Sequence, residues 1–148
     1  MSIVIGIDPG AQTGIALIWD GVLRHMRTMA WEDGGLAIKS HLAILAETYE
    51  SRKPSVVIEI PGPRFFRREG LSHAAQLKIS RNVGECKAKA VELAAFCEGL
   101  GMKVRRREPI RGGTKRKVTG AMWRGLFKWE WRLPGSHARD AAMLARFG

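Results

Sequence analysis

Four side chains are of types that could do chemistry together: Asp8, Glu59, His137 and Asp140. Asp8 closes the apolar run Ile3-Val4-Ile5-Gly6-Ile7, and Asp8-Pro9-Gly10 is also ordinary turn chemistry. Glu59 interrupts Val56-Val57-Ile58-Glu59-Ile60, where a carboxylate costs several kcal/mol to bury unless something pairs with it. If the two runs are neighbouring strands, Asp8 and Glu59 converge at one sheet edge. Two adjacent carboxylates repel, and a cation between them resolves the conflict. An ion pair between Glu59 and one of the many arginines answers the same need, and both readings stay open. His137 and Asp140 are spaced i, i+3, which puts both on one face of a helix that Ser136 can cap. Ala138, Ala141 and Ala142 leave room for that helix to approach a sheet closely. Taken singly, His137 reads as an ordinary helix-start residue and Asp140 as a surface charge paired with Arg139 or Arg146. Taken together, the four oxygen and nitrogen donors suit Mg²⁺ or Mn²⁺. Zinc is disfavoured, since there is no Cys-x-x-Cys or paired-His motif.

The elements that must position these groups follow from the hydrophobic pattern. The runs Ile3–Ile7, Gly14–Trp19 and Val22–Met26 are of strand length, and Asp20-Gly21 between the last two is a strong hairpin signal. The first third is therefore expected to be a three-stranded antiparallel meander. Ile38, Leu42, Leu45 and Tyr49 form one apolar stripe of a helix that ends before Pro54. Val56–Ile60 is a fourth strand, apolar enough to be covered on both faces. The loop Pro61–Arg68 precedes a long helix, roughly Leu71 to Glu98, with an irregularity expected near Asn82-Val83-Gly84. Gly99 and Gly101 mark its end. Met102–Arg106 alternates as a fifth strand, and helices are expected over Lys115–Phe127 and Ser136–Phe147. The order β-β-β-α-β-α-β-α-α implies an α/β fold: one mixed five-stranded sheet, three antiparallel strands then two parallel ones, flanked by helices.

Composition agrees with one folded domain over residues 1–148. A chain this long buries ~70% of the surface its unfolded form exposes. The apolar share of 45% and the charged share of 26% argue against a disordered tail. No apolar run approaches the ~18 residues of a membrane span, and Asp8-Pro9 interrupts the N-terminus before a signal-peptide core could form, so no membrane is expected. Two cysteines, Cys86 and Cys97, are too few for a disulfide framework and fit thiols in a reducing cytoplasm, bacterial or phage-infected.

The net charge of +11 is unevenly spread. Residues 1–63 hold 5 basic and 7 acidic side chains, whereas residues 64–148 hold 20 and 7. Lys103 to Lys117 alone contains eight basic residues, Arg111, Lys115, Arg116 and Lys117 among them, against Glu108. Such clustering points to a polyanion, and nucleic acid is the commonest for a soluble chain.

Gly6-Ile7-Asp8-Pro9-Gly10, Thr13-Gly14, Ile58-Glu59 and His137-Ala138-Arg139-Asp140 resemble, in order and over nearly the whole chain, the acidic motifs of RuvC-type Holliday junction resolvases. Gly-Ile-Asp-x-Gly also opens the sugar-kinase and actin-like ATPases, but those need two such domains, which 148 residues cannot supply. The resemblance implies an RNase H-like fold, a homodimer, and paired symmetric nicks in four-way DNA junctions. It implies that Asp8, Glu59, His137 and Asp140 are catalytic and hold two divalent ions, Mg²⁺ or Mn²⁺, with Asp8 bridging them. Hydrolysis by two ions ~4 Å apart leaves a 5′ phosphate and a 3′ hydroxyl. Lys115 best matches a family lysine near the scissile phosphate, with Lys117 competing, and either also fits a DNA-backbone contact.

Two segments depart from the family. An aromatic commonly follows the glutamate by three residues, where it helps unstack the crossover. Here that position is Gly62, and Phe65 and Phe66 come later, among Arg64, Arg67 and Arg68. They suit a wedge or two core side chains. Before the last helix, Trp123, Phe127, Trp129 and Trp131 interleave with Arg124, Lys128 and Arg132, a pattern that serves either base stacking or the core. The long helix carries Val83, Ala90, Val91, Ala94 and Cys97, more apolar face than one sheet layer needs, which is consistent with a dimer. Two other activities fit the same residues: a ribonuclease H-like nuclease on RNA–DNA hybrids, and a catalytically silent branched-DNA-binding module.

Overall fold

The computed structural model describes residues 2–61, 70–109 and 118–148. Strands β1 (Ile3–Asp8), β2 (Gln12–Trp19) and β3 (Val22–Ala30) form the expected meander. Asp20 (φ 50°) and Gly21 (φ 79°) are both left-handed, as the tight turn between right-twisted strands requires. β3 runs four residues beyond the apolar run that marks it, and a bulge between Leu17 and Ile18 shifts its register on β2. β4 (Ser55–Glu59) pairs parallel with β1, and β5 (Lys103–Arg107) parallel with β4, giving the order β3-β2-β1-β4-β5.

Side-chain alternation along these strands sorts two cores. Ile3, Ile5, Ile7, Ile15, Leu17, Val56 and Ile58 face helix α1 (Leu36–Thr48) and the C-terminal half of α2 (His73–Gly99). Ile38, Leu42 and Leu45 are buried there, as the stripe predicts, and Tyr49 caps the helix with its ring edge-on to Trp19 at 5.9 Å. Gly6, Gly14, Ala16, Ile18 and Val57 face the opposite side, toward α3 (Gly120–Phe127) and α4 (Ser136–Phe147).

Three local expectations are corrected. α2 is one uninterrupted helix through Asn82-Val83-Gly84, begun by Ser72, whose hydroxyl accepts from the Ala75 N–H at 3.2 Å. α3 starts at Gly120 rather than Lys115, because Thr119 caps it by accepting from the Met122 N–H at 3.2 Å; residues 115–117 lie outside the described set. At α4 the cap position is Gly135, whose carbonyl accepts from the Arg139 N–H, so Ser136 is the first helical residue rather than the cap.

Ala90, Leu93, Ala94 and Cys97 of α2 are buried, whereas Leu77, Val83 and Val91 are exposed. Burial, with Glu98 beside it, pushes the Cys97 thiol up to about 12, so it packs as a small hydrophobe. No helix among the described residues is long and apolar enough to cross a membrane.

One internal pair makes stability depend on pH. His25 of β3 and His41 of α1 are half-buried, with Nε2 atoms 2.9 Å apart, so one neutral ring donates to the other. Burial and the nearby Arg27 charge hold both below the ordinary histidine value, and His25 adds to the effect on His41. The unfolded chain therefore takes up protons first as pH falls through ~6.5, and stability present above that pH is lost below it. The midpoint of urea unfolding should fall between pH 7.5 and pH 5. His41→Gln should flatten that dependence, and an equal slope in the variant would remove the pair as its source.

Candidate active site

The site is built where α4 crosses the ends of β1 and β2, and two glycines let it come close. A Cβ on Gly6 would lie 2.0 Å from the Ala141 carbonyl oxygen and 2.7 Å from the Ala145 nitrogen. One on Gly14 would lie 1.9 Å from the His137 carbonyl oxygen and 2.9 Å from the Ala138 nitrogen. The helix backbone thus rests directly on strand backbone, with Ala138, Ala141, Ala142 and Ala145 as its buried face. In the sequence these glycines read as parts of motifs. Glycine inside an apolar strand was the signal that marks a close backbone approach.

That seating brings the first turn of α4 over Asp8. The last residue of β1 is 8% exposed, and its Oδ2 lies 3.2 Å from His137 Nδ1. The turn after it is held from two directions. Thr13 Oγ1 donates to the Gly10 carbonyl at 3.0 Å, and the Cys86 thiol of α2 donates to the Pro9 carbonyl at 3.2 Å. Cys86 is half-buried at this turn.

Glu59 ends β4. The last paired rung between β1 and β4 is Ile7 with Ile58, so Asp8 and Glu59 are the next residues on strands ~4.8 Å apart. By alternation both side chains belong to the face covered by α4. Asp140 lies one helical turn beyond His137 and is half-buried. The four residues thus come from two adjacent strand ends and one helix, as their spacing predicts. Direct contact is made between Asp8 and His137. Among the described residues no three His, Cys, Asp or Glu side chains converge tightly enough to form a metal cluster. The donor chemistry of three carboxylates and one imidazole nevertheless fits a hard divalent cation, and a carboxylate as buried as Asp8 is suited to such a neighbour.

The basic run divides. On β5, Arg106 pairs with Glu98 of α2, while Arg105 donates to the Gly148 carbonyl and Arg107 to the Phe147 carbonyl, the latter at 2.8 Å. Two guanidinium groups thus hold the carbonyls of the last residue of α4 and of Gly148 after it, where positive charge is favoured. Arg106 thus meets an opposite charge within the fold, whereas the carbonyls that Arg105 and Arg107 reach are neutral. Arg64, Phe65, Phe66, Arg67, Arg68, Arg111, Lys115, Arg116 and Lys117 lie outside the described residues.

No protein-family model and no curated protein matches this chain. Solved structures do. Thermus thermophilus RuvC in complex with Holliday junction substrate is similar with a TM-score of 0.63 at 21% identity, covering 98% of this chain and 90% of that one. A second structure of Thermus thermophilus RuvC gives 0.61 at 22% identity, over 97% and 90%. The fold is therefore that of the RuvC resolvases, an RNase H-like mixed sheet, as the motif order implies.

Proposed function

We propose that the chain is a divalent-metal-dependent endonuclease that resolves four-way DNA junctions by paired symmetric nicks, acting as a homodimer in a reducing cytoplasm. The observation that carries this reading is the Asp8–His137 contact beside Glu59 and Asp140, at the strand ends of a RuvC fold one of whose solved relatives was captured with a junction substrate.

Asp8, Glu59, His137 and Asp140 would hold two Mg²⁺ ions, or Mn²⁺ in their place. When bound, these supply Lewis acidity toward the attacking water and the leaving 3′ oxygen, for a 5′-phosphate product. Three carboxylates at one sheet edge repel a phosphodiester unless a cation neutralises them, so cation loading and DNA docking are coupled. The Thr13 and Cys86 hydrogen bonds around Asp8-Pro9-Gly10 fix where the Asp8 carboxylate stands. The glycine seat does the same for His137 and Asp140. Lys115 is assigned to the scissile phosphate, with Lys117 as the competing lysine. Phe65 and Phe66 are assigned to wedging the crossover. Arg64, Arg67, Arg68, Arg111 and Arg116 are assigned to backbone phosphates. Leu77, Val83 and Val91, exposed along α2, are where a second copy would pack, since paired nicks need two sites.

The test is incubation of the protein with a labelled four-way junction, a linear duplex and an RNA–DNA hybrid, in Mg²⁺, Mn²⁺ or EDTA. Metal-dependent symmetric nicking of the junction alone is expected. Cutting of the hybrid instead would keep the site and change the substrate. Tight junction binding without cutting in any metal would make the chain a silent binding module.

A further inference from the structure

The interleaved aromatics before α4 divide into core and surface. Trp123 is 1% exposed, and its indole N–H donates to the Arg139 carbonyl of α4 at 3.4 Å, one residue before Asp140. Its ring lies 4.8 Å from that of Phe127 and 6.0 Å from that of Trp129. Trp129 is partly buried, donates its indole N–H to the Arg132 carbonyl at 3.0 Å, and stands 4.9 Å from Trp131 at 67°. The rings form one column from the core to solvent, and its outer member, Trp131, is 68% exposed.

Trp131 rests on Trp129 and is otherwise open to solvent, so its indole face is available to a flat ligand. Its surroundings select the occupant. Arg124, Lys128 and Arg132 are exposed in the same stretch, against Glu130 alone. Lys128 stands at φ 50°, a left-handed cap position where asparagine or glycine is less strained. An exposed aromatic ring with cations on either side is complementary to a nucleobase and its flanking phosphates. Trp131 also precedes His137 by six residues, which span at most ~20 Å. At ~3.4 Å per base pair, that places the ring within about six base pairs of the proposed cut.

We infer that Trp131 is a stacking platform for an unstacked base of branched DNA close to the cut site, with Arg124, Lys128 and Arg132 holding the adjacent phosphates. This deepens the resolvase reading and rests on it.

The experiment measures affinity in EDTA for a four-way junction and for a linear duplex of the same sequence, alongside junction nicking in Mg²⁺. Stacking of one base predicts that Trp131→Ala weakens junction binding about tenfold or more. Trp131→Phe should restore most of the loss, with duplex binding changed less than about twofold. Lys128→Asn relieves the backbone position, so it should leave the melting temperature unchanged or higher while reducing the salt slope of binding by about one. If the unchanged protein nicks junctions and Trp131→Ala binds them equally well, the platform is refuted and the resolvase reading stands. If the unchanged protein neither binds nor nicks junctions, the resolvase reading fails first and takes the platform with it. If Trp131→Ala loses self-association in sedimentation but keeps its DNA affinity, a second protein copy covers Trp131 and the inference is overturned.

Discussion

Asp8→Asn protein should bind a four-way junction in EDTA at least as tightly as the unchanged protein, yet cut it in Mg²⁺ about 10³-fold more slowly or worse. The two halves of this expectation have different physical origins. Asparagine has the shape of aspartate, and its carbonyl oxygen can still accept from His137 Nδ1, now 3.2 Å from the carboxylate. The buried turn at Asp8-Pro9-Gly10 should therefore survive, and the melting temperature should change by only a few degrees. Removing one negative charge from this end of the sheet reduces repulsion of the DNA backbone when no cation is present, which favours binding. On the proposed reading, cutting would depend on the same charge to hold the divalent ions, and several kcal/mol of barrier stabilisation would go with it, at a factor of ten for each ~1.4 kcal/mol. Filter binding in EDTA and a single-turnover nicking assay read the two halves separately. Undiminished nicking by this variant would remove the proposed site, and weakened binding in EDTA would remove the argument from charge.

How the sequence discloses this arrangement depends on the range of the interactions. Strand ends and turns were legible because their signals are local. Asp20-Gly21 adopts the left-handed pair that its residue types favour, and Ile38, Leu42 and Leu45 bury the stripe that their spacing marks. Asp8 and Glu59 could be placed side by side only on the condition that their two runs are neighbouring strands, and the parallel pairing of β1 with β4 meets it. Contacts made by backbone against backbone were harder to read. Nothing in the local pattern of Gly14 says that the helix it admits lies over a hundred residues away. The continuity of α2 went against a local signal, since a glycine in mid-helix costs ~1 kcal/mol, which the Ser72 cap and the packed C-terminal half of the helix offset. Charge density was also a coarse guide: Arg105, Arg106 and Arg107 belong to the most basic stretch, yet each bonds within the protein. The aromatic run carried two readings because a tryptophan's burial depends on which ring packs behind it. Trp123 and Trp131, eight residues apart, take opposite ones.

The glycine seat yields the other large expected effect. Gly14→Ala places a methyl group 1.9 Å from the His137 carbonyl oxygen and 2.3 Å from its carbon, so no side-chain rotation relieves the clash. The first turn of α4 must retreat from β2 by more than an ångström. Overpacking of this kind costs ~3 kcal/mol, and about 10 °C of melting temperature in a chain this size. The retreat also carries His137 away from Asp8, and misplacement on that scale can slow a reaction ~10²-fold. Gly6→Ala, with its methyl 2.0 Å from the Ala141 carbonyl, should destabilise comparably. Gly125→Ala is the contrasting case. It lies inside α3 with nothing within 4 Å of a built Cβ, so the substitution should stabilise the protein by ~0.5–1 kcal/mol and leave nicking unchanged. Thermal melts followed by circular dichroism, with nicking rates measured well below the lowest melting temperature, separate loss of fold from loss of alignment. Gly14→Ala protein that is fully folded at the assay temperature and still nicks at the unchanged rate would show that the closeness of α4 to β2 is not what sets His137 over Asp8.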